Sequence, residues 1–130
     1  MKILILMAIT LSSGLLFASV KSSQDVRMTV KCVQDLGVSA AAACAGVQNY
    51  YHIEKVTECI SHVGISKAAA CAGVQYSQEV SAVIDCVGKI GKAPAGACAG
   101  VKNSYHVDLV VRCVGLLGND SSIACGSGDN

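Results

Sequence analysis

The chain has 130 residues, which is one domain by length. It carries 10 Lys+Arg against 9 Asp+Glu, and without Lys2 the two signs balance. That balance excludes the basic excess needed for phosphate binding, and the polybasic patch that holds a protein to an anionic membrane surface.

Met1–Lys2 is a short basic start, and Ile3 to Val20 is mostly apolar, interrupted by Thr10, Ser12, Ser13 and Gly14. A charged start followed by an apolar run is the pattern of a secretory signal peptide. Residues 1–20 are therefore expected to be an export signal, cut within 18–23 among Ala18, Ser19, Ser22 and Ser23. The competing reading is an uncleaved membrane anchor, because the run is near the minimum length that spans a bilayer. No later stretch is long and apolar enough to cross one, so no stable membrane insertion is expected once the signal is removed. Residues 21–130 are expected to form a single disulfide-rich domain, secreted or periplasmic, where thiols pair.

The eight Cys fall at 32, 44, 59, 71, 86, 98, 113 and 125, so gaps of 12 and 15 alternate in a 27-residue period. Gly37, Gly64, Gly91 and Gly118 keep this period, and Cys-Ala-Gly-Val occurs at 44–47, 71–74 and 98–101. A repeat of this length means stacked structural units.

In chain order, each unit predicts a long helix and then a short one. The long helices are expected at 23–36, 50–63, 77–90 and 104–117. Val80, Val83, Ile84, Val87 and Ile90 lie on one helical face. Ile53, Val56, Ile60 and Val63 repeat that stripe, as do Val107, Val110, Val111, Val114 and Leu117. Ser22, Asn49 and Asn103 stand where N-caps belong. Three residues further come Asp25, His52, Glu79 and His106, of which Asp25 and Glu79 suit the positive helix start. The Gly after each long helix reads as a left-handed stop.

The short helices are expected at 40–45, 67–72, 94–99 and 121–125, capped by Ser39, Ser66 and Asp120, with Pro94 at a first helical position. Their Gly-Val ends read as Schellman-type stops. Strict apolar alternation fails, so a β reading loses to an all-α one.

One Cys of each unit lies in the long helix and one in the short helix, across a Gly turn. Antiparallel helices on a short loop bring such positions together. The expected pairs are Cys32–Cys44, Cys59–Cys71, Cys86–Cys98 and Cys113–Cys125. The rival runs between units, as in Cys44–Cys59, and strands Cys32 and Cys125 at opposite ends. Each within-unit bridge closes a loop of about 13 residues, worth about 3 kcal/mol in the chain-entropy model. Such staples offset the absence of Trp, and of any Phe beyond Phe17.

No Cys-x-x-Cys is present, and the single Cys-x-x-His, Cys59 to His62, has no second half. No metal or cofactor is therefore expected. No nucleophile elbow, zinc-protease motif or phosphate-cradling Gly loop appears, so no catalysis is expected either. Asn119-Asp120-Ser121 fits an N-glycosylation sequon. Tyr50, Tyr51, His52, Tyr76, Tyr105 and His106 gather at the starts of long helices. They read either as caps and surface or as contacts to a ligand. Between copies, positions 48–52, 54–55, 57–58 and 61–62 vary while the Cys, Gly, Ala and Val frame is constant. Variable exposed faces are where repeat scaffolds meet partners.

The layout over 23–125 is similar to tetratricopeptide-type and Sel1-like helical arrays, in architecture alone. The 27-residue unit is shorter, and their aromatic pattern is missing. The expected fold is thus a short α-solenoid of four 27-residue hairpins, each stapled by a disulfide. The expected role is a monomeric, non-catalytic interaction or structural module that binds a protein or surface polymer, with no nucleic acid. Alternatives are a small secreted effector, such as a toxin or inhibitor, and a thiol-based metal-binding or redox protein.

Overall fold

Four apolar stripes, three of them behind a polar N-cap, form helices at the predicted bounds. They are α1 (Ser23–Leu36), α2 (Tyr50–Val63), α3 (Ser77–Ile90) and α4 (Ser104–Leu117). The computed structural model describes residues 20–126; the expected export signal through residue 19 and the tail at 127–130 lie outside them.

Between and after the long helices run η1 (Val38–Cys44), η2 (Ile65–Cys71), η3 (Ala95–Cys98) and η4 (Asn119–Cys125). These are 3₁₀ helices, and three of them start two residues earlier than expected. The reason is where the first bond begins. Ala40 N–H donates to Gly37 O at 3.1 Å and Lys67 N–H to Gly64 O at 3.0 Å, so the glycine itself opens the turn. Ser39, Ser66 and Asp120 consequently sit inside the first turn and make no capping bond. At three residues per turn, positions i and i+3 stack. The buried pairs Ala40/Ala43 and Ala68/Cys71 show that spacing.

Two glycine registers shape the hairpins, and neither matches the expected stop. Gly37 has φ 95° and ψ 159°, a conformation open to glycine but outside the left-handed helical well. Its N–H still closes α1 by donating to Val33 O at 2.7 Å. Cys-Ala-Gly-Val is a type II β-turn rather than a Schellman motif. Ala45 has φ −61° and ψ 132°, Gly46 has φ 82°, and Val47 N–H donates to Cys44 O at 3.3 Å. The same turn recurs at 71–74 and 98–101.

All four disulfides form within units, with Cα atoms 5.8 or 5.9 Å apart. The between-unit alternative is thereby excluded. Each unit is a long helix tied back to back with a 3₁₀ helix. Successive units stack so that α1 to α4 form one row and η1 to η4 another. The fold is all-helical, as expected, and no strand occurs among the described residues. Val56, Val80, Val83 and Val107 fill the space between rows, together with the fully buried half-cystines of the first three units. Small residues in the η row let backbones approach, so the disulfides with Val, Ile, Ala and Met28 make up the hydrophobic core, which holds no Phe, Tyr or Trp.

Candidate functional site

The type II turns deliver the chain to the starts of the long helices, and all four starts are built alike. The residue at the third helical position reaches back to the backbone N–H just before the cap. Asp25 Oδ2 accepts from Lys21 N–H at 2.9 Å, and Glu79 Oε1 from Gln75 N–H at 2.8 Å. His52 Nδ1 accepts from Gln48 N–H, and His106 Nδ1 from Lys102 N–H, each at 3.2 Å. In three copies the cap returns the bond: Ser22 Oγ, Asn49 Oδ1 and Asn103 Oδ1 accept from Asp25, His52 and His106 N–H. Each exchange satisfies helix-start donors that have no partner inside the helix. Tyr76 occupies the third cap and offers no side-chain acceptor; Glu79 N–H donates to its carbonyl at 3.0 Å instead.

This geometry divides the six expected binding residues. His52 is buried and His106 half-buried, and both have Nδ1 committed to the cap. His52 therefore leaves the outer face on which its variability between copies placed it. Tyr50, Tyr51, Tyr76 and Tyr105 are all about half exposed or more, and form a ridge along the helix starts.

Charges tie neighbouring copies together beside this ridge. Lys55 Nζ lies 3.2 Å from Glu58, 3.0 Å from Ser77 Oγ on the next helix, and 5.3 Å from the Tyr51 ring centre. The Glu58 hydrogen bond holds the Lys55 ammonium above the ordinary lysine value of 10.5, against the opposing effect of burial. The charges of Glu58, Tyr51 and Glu54 act in the same direction as that bond. Buried Glu79 presents its other oxygen to Lys102 Nζ at 3.7 Å, which joins the third copy to the fourth.

A groove of about 240 Å³ runs over the Ala-Gly steps at 45–46, 72–73 and 99–100, with Glu79 and Lys102 on its wall. At the last copy a cavity of about 510 Å³ lies among Val101, Tyr105, His106, Leu109 and the Cys113–Cys125 bridge. Sequence reasoning missed Lys55, the Ala-Gly groove and Leu109. The signal for Leu109 was present, because Met28, Lys55 and Ala82 hold its register in the other copies.

Chemically, this edge offers phenol hydroxyls, flat rings and a shallow groove. No group of three metal-ligating side chains occurs among the described residues. All eight Cys are in disulfides, so no thiol is available at the site. The chain matches no protein-family model, no curated protein and no solved structure.

Proposed function

We propose that this chain is a secreted or periplasmic, non-catalytic interaction module. It binds a protein or surface polymer through the exposed face of its long helices, along the edge where they start. The observation that carries this reading is the exposure of Tyr50, Tyr51, Tyr76 and Tyr105 at the starts of the long helices, with Tyr105 lining the 510 Å³ cavity. Tyrosine offers large amphipathic contact area at low entropic cost, and a stapled scaffold has little conformational freedom left to lose on binding. The four disulfides suit an oxidising compartment. They also count against thiol-based metal or redox chemistry, which needs free thiolates.

The test is binding of the immobilised, oxidised protein to arrays of extracellular proteins and cell-surface polysaccharides. The Y50S/Y51S/Y76S/Y105S variant is expected to lose at least about tenfold in affinity, since aromatic anchors carry much of an interface. Its helical circular dichroism should be unchanged. Equal binding by both proteins removes the ridge from the reading. Turnover of a hydrolase or redox substrate, abolished by one exposed substitution, removes the non-catalytic assignment.

A further inference from the structure

The two ends of the array differ from its middle in a way that the repeat itself measures. The register of Val26 is filled by Ile53, Val80 and Val107 in later copies. Those three are 6%, 2% and 0% exposed, while Val26, in the first copy, is 48% exposed. Val30 is exposed too, but this register is less telling: Thr57 is also exposed in the second copy, and Ile84 and Val111 are partly covered. At the other end, Leu109 is 38% exposed where Met28 and Ala82 are 6% and 7%, and Leu117 is exposed where Ile90 is buried. The half-cystines of the last bridge, sealed in every earlier copy, are partly open there.

Terminal units of a stacked array ordinarily carry a polar outer face. The last copy does the reverse. Leu116 is open to solvent where Asp35, His62 and Lys89 stand in the other copies. Ile123, which replaces Ala42, Ala69 and Gly96, is exposed but leans back over Gly96 of the third copy, so it does not add to the end face. The 510 Å³ cavity beside Leu109 and Cys113–Cys125 lies where a following copy would seat.

We propose that these ends are the two halves of one interface and that the chain associates head to tail, its first repeat docking on the last repeat of a second copy. The occupant is a second copy because the contact is continuous with an interface the chain already makes three times. Successive long helices contact one another along the array, and Val80, Ile84, Val87, Val107, Val111 and Val114 belong to the core they share. Val26, Val30 and Val33 repeat that set at the free head. The attraction is apolar: in register His106 stands where Glu79 meets Lys102, and its partner position is Lys21 of the incoming chain, so no ion pair is added. Head and tail are different surfaces, so the contact is heterologous and propagates from copy to copy into chains or rings rather than an isologous dimer. A contact of one repeat face belongs to the small, weak class of interfaces. This departs from the expectation of a monomer, which took no account of the two end faces. It goes beyond the binding reading above: the two surfaces meet at Tyr105, which lines the tail cavity, while Tyr50, Tyr51 and Tyr76 lie outside that cavity.

The test is sedimentation equilibrium of the exported, oxidised protein with two variants, Val26→Asp at the head and Leu109→Asp at the tail. Both side chains are already partly in water, so the monomer should keep its helicity and four disulfides. For the parent, average mass is expected to rise with concentration without a plateau at two. Each variant alone is expected to stay monomeric. An equimolar mixture of the two is expected to form dimers and stop there, because each retains one intact, complementary end. A V26D variant that still dimerises shows a tail-to-tail contact and overturns the proposal. So does a parent that stays monomeric at every concentration, with or without residues 1–19 attached. Loss of ligand binding by a Y50S/Y51S/Y76S variant, which leaves Tyr105 in the tail cavity untouched, with self-association kept, would separate the two surfaces.

Discussion

Gln48 donates its backbone N–H to His52 Nδ1 at 3.2 Å, while His52 donates its own N–H to Asn49 Oδ1 at 3.0 Å. The imidazole thus does at this helix start what the Glu79 carboxylate does one copy later. Its Nδ1 must be the unprotonated nitrogen, since it accepts. His52→Ala is expected to cost about 1 kcal/mol, the usual value of a lost helix cap. His52→Glu should be close to neutral, because a carboxylate serves in that register and suits the positive helix start. Urea titration of both variants checks this; equal losses would mean that packing around the ring, not the acceptor, matters.

Removing the buried Cys59–Cys71 bridge as the double alanine variant should lower stability by about 3 kcal/mol, the value for a short closed loop. The Cys113–Cys125 pair is partly open at the array's end, so its removal should cost less. Chemical denaturation of the two double variants compares them. Full reduction should abolish most helical signal, because the hydrophobic core has no Phe, Tyr or Trp to replace the staples.

Gly73→Ala and Gly88→Ala are the same chemical change with opposite expected signs. Gly73 holds φ 82° in its type II turn, so alanine there should cost about 1–2 kcal/mol. Gly88 lies inside α3 with nothing within 4 Å of an added Cβ. Alanine there should stabilise by about 0.5–1 kcal/mol through helix propensity. Thermal unfolding of the pair reads both signs at once.

The Lys55 ammonium is held above 10.5 first by its hydrogen bond to Glu58. A raised cationic pKa stabilises the fold below the unfolded lysine value, and that contribution disappears as pH climbs through the folded value. The window therefore opens above 10.5. Glu58→Gln is expected to bring the Lys55 titration down, read by NMR at the Nζ and Cε nuclei. An unmoved titration would assign the shift to the charges of Tyr51 and Glu54.

The long helices and the disulfide pairing were legible because both depend on local spacing that is repeated. A cap, a helical stripe and a 12-residue Cys separation recur with the period, so one reading constrains the rest. The 3₁₀ character of the short helices was not legible. An Ala-rich segment of seven residues supports either helix, and stacking against the neighbouring 3₁₀ helix with a disulfide at its end selects the tighter one. The buried place of His52 was also hidden. Comparison between copies shows only that the residue varies, and His, Asp and Glu vary there because all can accept the same hydrogen bond.

By itself, the sequence determined the four-unit all-helical array, the positions of its long helices and which cysteines meet, since each follows from short-range periodicity and loop closure. Only the tertiary structure decided which copies of one register are buried and which are open. Val26 and Val107 are the same residue at the same place in the motif, and only stacking separates the one in water from the one sealed in the core. Burial depends on what lies next in space, and a repeat, however exact, does not state where its own ends are left uncovered.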